Sequence, residues 1–256
     1  DVVGWSRGPA PDPVANIVGN IVTGNGLEAA TGWWAENGIQ IGYGATGQIV
    51  GNVVSNHWVN NPNWTSTGIL VVGSDDVDVL GNYVFDNETG IAVMGLTPWG
   101  GEPANNNNIV GNTVLDCDYG ISLQYDALST TIERNVLSGN YIAIDGWGWG
   151  GAEPAGSAIR FNSIAGNVFG VVNYDLPYAV VSGLDAALNW WGSTEGPTAA
   201  TNPGGDGDAI YGDVIYSPWL GTDPDGDPTQ PGVQITGPML IIVAPVGPEP
   251  MGGYLN

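Results

Sequence analysis

Hydrophobic and polar positions alternate in short runs, and one such run returns along the whole chain. In "IVGNTVLD" at 109–116, an Ile stands three residues before an Asn and a Val stands two residues after it. Aligned copies of this Asn are Asn20, Asn52, Asn82, Asn112, Asn135, Asn162 and Asn189. Neighbouring copies lie between 23 and 32 residues apart, which indicates a constant unit joined by loops of variable length.

A second short run follows each unit, as in "GIAV" (90–93), "GISL" (120–123) and "YIAI" (141–144). Alternation of β-branched residues between Gly and Asn predicts short strands, and the frequent glycines argue against helices. Matching these runs by their letters places Ile121 and Ile142 in one inward column. It places Ser122 and Ala143 in the outward column beside it.

Short strands separated by regular Asn-containing turns predict a coiled ribbon whose coils stack at about 4.8 Å. Asn suits such corners because it tolerates the left-handed backbone region, and its amide can pair with the same amide one coil away to form a ladder. We call the seven aligned asparagines the first ladder.

The pattern resembles the right-handed parallel β-helix family, including its pectate-lyase-like and periplasmic copper-protein-like members, over about residues 14–221. The segments "NWWGSTEGP" (189–197) and "YSPWL" (216–220) are similar to the closing part of secreted β-helix repeat domains. The predicted fold is therefore all-β, a right-handed parallel β-helix of about seven coils with a strand-like C-terminal tail. The resemblance leaves the function open, because this fold carries lyases, hydrolases and plain scaffolds.

Three regions are predicted along the chain. Residues 1–221 form the β-helix, with a lead or cap at 1–13 and a closing segment at 185–221. Residues 222–232 form a Pro/Asp/Gly linker, and 233–256 form a hydrophobic tail. The tail carries an uncharged strand-like run, too apolar to remain exposed: Leu240, Ile241, Ile242 and Val243. It is open to two interpretations, folding back on its own rod or adding to a neighbouring molecule. We hypothesise the second, which would generate a homopolymer.

Five residues after each first-ladder Asn, a second polar column is predicted, which we call the second ladder. Its members are Asn25, His57, Asn87, Cys117, Asn140 and Asn167. The only histidine and the only cysteine of the chain thus take places that Asn fills elsewhere. A nucleophilic Cys needs a base within hydrogen-bond reach, and His57 is expected two coils, or ~10 Å, away. We therefore predict no catalytic residue.

Charge excludes several partners. The chain has 26 acidic residues but only three arginines and no lysine, for a net charge of −23. Nucleic acids, anionic membranes and polyanionic sugars would be repelled, whereas cations would be attracted. One cysteine excludes an internal disulfide, and no apolar run is long enough to span a bilayer. The start at Asp1 without a signal peptide suggests a processed protein, secreted to the cell surface or beyond.

Two acidic segments suggest a calcium site. "TDPDGDP" (222–228) spaces Asp223, Asp225 and Asp227 like the start of a calcium loop, although it lacks the late bidentate Glu. "GGDGDAIYGD" (204–213) offers a second set, Asp206, Asp208 and Asp213. Carboxylates suit Ca²⁺, and the alternative is a solvated acidic linker.

Two loops match each other, "WGGEPA" (99–104) and "WGGAEPA" (149–155), and are predicted to pack as neighbours. Trp99, Glu102, Trp149 and Glu153 are candidates for contact with a glycan or a second subunit, or they simply cover a sheet face. Asn63 in "NWT" is a possible glycosylation site.

Two functions from different classes follow from these features. The first is a non-catalytic extracellular structural protein that self-assembles through its tail and the ends of the solenoid, with calcium as a possible stabiliser. The alternative is a carbohydrate-active β-helix that binds or cleaves a neutral glycan through the Trp-rich loops.

Overall fold

The computed structural model describes residues 2–3, 12–29, 35–61, 64–174 and 183–243, and its regular structure is almost entirely β. Asn63 and residues 244–256 of the predicted tail lie outside these ranges. The strands of the first half are β1 (Val2–Val3), β2 (Val14–Val18), β3 (Ile21–Ala29), β4 (Asn37–Gly42), β5 (Thr46–Val50), β6 (Val53–Asn60), β7 (Thr67–Val72), β8 (Val77–Leu80), β9 (Tyr83–Phe85), β10 (Thr89–Met94), β11 (Ala104–Asn105), β12 (Asn108–Val110), β13 (Thr113–Leu115) and β14 (Tyr119–Gln124).

The strands of the second half are mostly shorter. They are β15 (Ala127–Leu128), β16 (Thr131–Glu133), β17 (Val136–Ser138), β18 (Ile142–Trp147), β19 (Ala158–Arg160), β20 (Ser163–Ile164), β21 (Phe169–Asn173), β22 (Leu184–Asp185), β23 (Pro197–Thr198), β24 (Gly207–Tyr211), β25 (Val214–Ile215), β26 (Trp219–Leu220) and β27 (Ile241–Ile242). A 3-10 turn at Thr97–Trp99 interrupts one long loop.

Three parallel sheets run side by side along the rod. The long sheet has the order β1-β4-β7-β10-β14-β18-β21-β24-β23, the eight-stranded sheet β2-β5-β8-β12-β16-β19-β22-β25, and the six-stranded sheet β20-β17-β13-β9-β6-β3. Each strand pairs in parallel with its counterpart one coil away. This arrangement confirms the predicted parallel β-helix.

The core is built from stacked columns of aliphatic side chains. In the eight-stranded sheet one column contains Ile49, Val79, Ile109, Ile132 and Ile159, and each of these side chains is fully buried. Burying such a side chain contributes about 1.5–3 kcal/mol, so one aliphatic residue per sheet in every coil accounts for a continuous core. The alternation read from the sequence is therefore the alternation of inward and outward faces.

One predicted register in the long sheet is wrong. Ile121 of β14 pairs with Ile144 of β18, not with Ile142, and Ser122 lies opposite Asp145, not Ala143. In both coils the inward Ile lies four residues after the second-ladder residue: Ile121 after Cys117, and Ile144 after Asn140. Matching "YIAI" to "GISL" by their letters missed this two-residue shift. The outward column of the long sheet therefore contains a carboxylate.

The C-terminal segment folds back onto its own chain. β27 pairs antiparallel with β26, with Leu220 opposite Ile241. Before it, Gly232 donates its N–H to Thr113 Oγ1 at 2.8 Å, and Val233 donates to the carbonyl of Arg134 at 2.7 Å. Of the predicted tail strand, Leu240, Ile241 and Val243 remain exposed, while Ile242 is half-buried against the core. Among the two interpretations of the tail, the described part follows the intramolecular one.

Candidate functional site

The first ladder is confirmed from Asn20 to Asn189. In every step, the backbone N–H and the side-chain Nδ2 of one Asn donate to the Oδ1 of the next, at 2.8–3.0 Å. From Asn52 onward Nδ2 also reaches a carbonyl of the preceding coil, as from Asn112 to Val79 at 2.9 Å. These side chains, unlike that of Asn20, are buried.

The backbone reason that we gave for Asn at these corners is wrong. The left-handed conformation belongs to the residue before each ladder Asn: Gly19, Gly51, Gly81, Gly111, Arg134, Phe161 and Leu188. The last three carry side chains at φ values of 55–61°, a conformation that usually favours glycine. Asn is therefore required for its amide, which satisfies buried backbone groups in two coils.

The second ladder differs from its prediction at both ends. Asn25 is exposed, and Gly26 pairs with His57 instead, because β3 contains a register shift between Thr23 and Gly26. At the other end, Asp208 accepts hydrogen bonds from the N–H and Nδ2 of Asn167, at 3.0 and 2.7 Å. Asp208, predicted as a calcium ligand, is thus the last member of this ladder, and burial raises its pKa.

His57 and Cys117 occupy ladder positions and lie apart, with Asn87 between them. The N–H of His57 donates to Asn87 Oδ1 at 3.1 Å, and the N–H of Cys117 donates to Asn140 Oδ1 at 3.0 Å. A contact that the sequence did not predict joins His57 Nδ1 to Glu36 Oε1 at 3.0 Å. Burial raises the pKa of the Cys117 thiol to about 12, against hydrogen bonds from Asn87, so this sulfur is a neutral thiol at ordinary pH.

The acidic segments use their carboxylates as local caps. Asp223 accepts from the N–H of Asp225, Asp225 from the N–H groups of Asp227 and Gln234, and Asp227 from Thr229. In the other segment, Asp206 accepts from the Ser193 hydroxyl. Within the described ranges, no three His, Cys, Asp or Glu side chains come together as a group that could hold a metal ion. The predicted calcium sites are thus not supported.

The outer face of the long sheet forms a groove over β4 to β18, with Tyr174 at its far end. Two adjoining cavities of about 760 and 260 Å³ make it up, and Thr65 and Gln124 line both. We call these two cavities together the sheet-face groove. Further polar groups of the lining are the amides of Asn37 and Gln40 in the larger cavity and the hydroxyl of Thr89 in the smaller. The groove thus offers neutral donors and acceptors.

Aromatic rings form one wall of the groove. Trp99, on the first of the matched loops, stacks on Trp149 of the second with ring centroids 6.1 Å apart, which confirms that the two loops pack together. Trp99 also contacts Trp64 and meets Tyr125 edge to face at 4.8 Å. Of the predicted contact residues, only Trp99 lines the groove directly. Glu102 is exposed and Glu153 half-buried, and neither belongs to the lining.

Asp145 is the functional candidate that sequence analysis missed. It lies on the floor of the smaller cavity, is only 2% exposed, and is the one acid that the described part of the chain contributes to the lining of either cavity. Burial raises its pKa from 3.8 to about 7, although a hydrogen bond with Ser122 opposes the shift. Counting four residues on from Asn140 identifies Ile144 as inward-facing. The next residue, Asp145, would then have been placed on the outer face.

A comparison with protein-family models matches residues 14–177 to the family described as periplasmic copper-binding protein (NosD). The match spans six of the seven first-ladder asparagines and the whole sheet-face groove. No curated protein and no solved structure gave a match. In the described part of the chain, no helix has the length and hydropathy required to cross a membrane.

Proposed function

The chain belongs to the NosD family of periplasmic copper-binding proteins, and from this premise we propose that it is a non-catalytic periplasmic β-helix protein that binds a glycan in its sheet-face groove. The supporting observation is the composition of that groove. The rings of Trp64 and Trp99, beside neutral amides and hydroxyls, offer what a sugar ring uses, an apolar face together with hydrogen bonds to its hydroxyl groups.

Copper, which the family description names, does not fit the residues present. Copper favours imidazole, thiolate and thioether ligands. The imidazole of His57 is buried and its Nδ1 is held by Glu36, while the thiol of Cys117 lies at another position of the second ladder and keeps its proton. Met94 lines the groove instead. No copper step is therefore part of the proposed function.

Binding without cleavage is supported by the distribution of acids. Hydrolysis of a glycosidic bond generally needs two carboxyl groups on opposite sides of the bond, about 5–9.5 Å apart. Among the described residues that line the two cavities, Asp145 is the only acid. A bound glycan would thus meet one carboxyl group, and no second one, among the lining residues that the structure describes.

The test is a glycan array followed by calorimetry with trisaccharides of glucose, N-acetylglucosamine and glucosamine. We expect at least one to bind, and Trp99→Ala to weaken that binding about tenfold, the equivalent of ~1.4 kcal/mol. The matched control is Trp58→Ala, because Trp58 lies on β6 outside the groove. Absence of binding to every glycan, or equal loss in both variants, would contradict the proposal.

Self-assembly through the tail stays a second prediction. The described part of the tail contacts its own chain, and three of its apolar side chains remain exposed, so a contact between molecules would use that surface. Light scattering of the intact chain and of a chain lacking residues 233–256 tests this. A monomer in both cases, or polymers in both, would contradict it.

A further inference from the structure

The smaller cavity of the groove contains a carboxylate without a full set of partners. Asp145 is nearly completely buried, and its Oδ1 is buried without a hydrogen-bond partner. Around it, the cavity of about 260 Å³ is lined by three aromatic residues, Tyr119, Trp147 and Tyr174. A buried acceptor left unpaired is costly, so this arrangement indicates a ligand group that donates to Oδ1.

The residues around Asp145 favour a donor that carries a positive charge. Aromatic ring faces attract cations, and a carboxylate among several rings is the arrangement that suits an organic ammonium group. No basic residue occurs among the described residues of the cavity lining, and the whole chain has only three arginines and no lysine. A net charge of −23 adds a long-range field that draws cations and repels anions.

We propose that the Asp145 cavity binds an ammonium group, which makes the ligand of the sheet-face groove a glycan that contains amino sugars. This inference rests on the proposed function and names its ligand class. The ammonium would donate to Asp145 Oδ1 and face the rings of Tyr119, Trp147 and Tyr174. The neutral part of the glycan would extend toward Thr65 and Gln124, where the two cavities meet.

Such a site links binding to the protonation of Asp145. Its pKa of about 7 in the free protein means that a cation must displace a proton at neutral or lower pH. The neighbouring titratable groups are Tyr119 on β14, Tyr174 after β21 and Tyr141 before β18. The pKa values of Tyr119 and Tyr174 are raised, the latter to about 12, so these phenols stay neutral in the range that matters. Asp118 and Glu88 act on Tyr119.

Two small probes isolate the charge. Choline carries a permanent cation, and 3,3-dimethylbutan-1-ol is its neutral isostere. In calorimetry on the full chain at constant salt, we expect choline to bind on the order of 30-fold more tightly at pH 8 than at pH 5.5, as ionisation of a group with a pKa near 7 requires. We expect 3,3-dimethylbutan-1-ol to bind weakly at both pH values.

Two variants assign the effect to the cavity. Asp145→Asn should remove the pH dependence and weaken choline binding at pH 8 by about 10- to 100-fold, since it removes the negative charge that attracts the quaternary ammonium group. Asp118→Asn removes the same charge from an exposed position outside the lining and should leave choline binding within about twofold. Equal binding of the two probes, or equal loss in the two variants, would overturn the inference.

The trisaccharides separate this inference from the proposed function. At pH 7 the glucosamine trisaccharide should bind the parent chain at least tenfold more tightly than its N-acetylated form, and Asp145→Asn should abolish that preference. Tight binding of N-acetylglucosamine or glucose trisaccharides without any preference for the amine overturns the inference and leaves glycan binding intact. Choline binding that depends on Asp145, with no trisaccharide bound, overturns the glycan function and supports the ammonium site.

Discussion

Replacement of Asn112 by Ala tests whether the first ladder holds the rod together. Asn112 is fully buried near the middle of the ladder, and its side chain takes part in four hydrogen bonds. Its Oδ1 accepts from the N–H and Nδ2 of Asn82, and its Nδ2 donates to the Val79 carbonyl and to Asn135 Oδ1, at distances of 2.9–3.0 Å. Ala removes all four bonds.

The expected loss of stability has two sources, the four hydrogen bonds themselves and the buried backbone groups that lose their partners. A hydrogen bond contributes about 1 kcal/mol net to folding, which gives ~4 kcal/mol for the set. Two backbone groups, the N–H of Asn82 and the carbonyl of Val79, would also lose a buried partner and cannot turn to water. We therefore expect Asn112→Ala to lower the free energy of unfolding by at least ~4 kcal/mol.

Asn20→Ala is the matched control, because Asn20 belongs to the same ladder but is exposed at its end. Its Nδ2 makes two bonds, to Asn52 Oδ1 and to the Val18 carbonyl, which water can replace. We expect a loss of ~1 kcal/mol or less. Urea unfolding followed by circular dichroism measures both, with hydrogen exchange to detect local opening, since solenoid stability is a sum over coils. A difference between the variants below ~1 kcal/mol would refute the reasoning.

Three other perturbations have defined outcomes. Cys117, with its pKa near 12 and 3% exposure, should react with iodoacetamide at pH 8 only after unfolding; modification of the native chain would contradict its place in the ladder. Because the folded pKa of Asp145 is raised to about 7, its contribution to stability is full below pH 4 and is lost as the pH rises to 7. The melting temperature of Asp145→Asn should therefore rise relative to that of the parent as the pH increases from 4 to 7. A difference in melting temperature that does not change with pH would count against this. Gly232→Ala should release the C-terminal segment to proteolysis, because its φ is +70° and a Cβ would lie 2.3 Å from the Gly111 backbone. Gly237→Ala, where a Cβ meets nothing within 4 Å, should leave the segment protected from proteolysis. Equal protection in both variants would disprove the docking of the C-terminal segment on its own chain.

Sequence periodicity predicted the ladder and the core because each residue there interacts with its own equivalent one coil away. An Asn that pairs with the next Asn requires the same spacing in every coil, so its position can be read by alignment alone. The prediction failed at Asn25, where the register shift in β3 brings Gly26 opposite His57. A single additional residue changes the pairing without changing the letters that were compared.

The groove was harder to predict, because its residues do not repeat. Equivalent positions along the outward column of the long sheet change from aliphatic to hydroxyl to carboxyl and back: Leu70, Ala92, Ser122, Asp145 and Val172. The loops that carry Trp64 and Trp99 differ in length from coil to coil, and periodicity gives no position for them. The similarity of the two Trp-Gly-Gly loops did predict the stacking of Trp99 on Trp149, since that similarity is itself a repeat.

The difference between repeating and non-repeating positions also explains where a function can reside in this chain. Inward positions and ladder positions are fixed, because each must match its neighbours in two coils, and a change at one costs several interactions at once. The outer face of the long sheet is free of this requirement, and its side chains vary within a frame that the ladders keep rigid. A buried carboxyl group such as Asp145 reduces stability at neutral pH when nothing is bound, and neither the core nor the ladders gain from it. A residue that costs stability on a face free to vary is best explained by a ligand, which is why the cavity at Asp145 is the place to look for it.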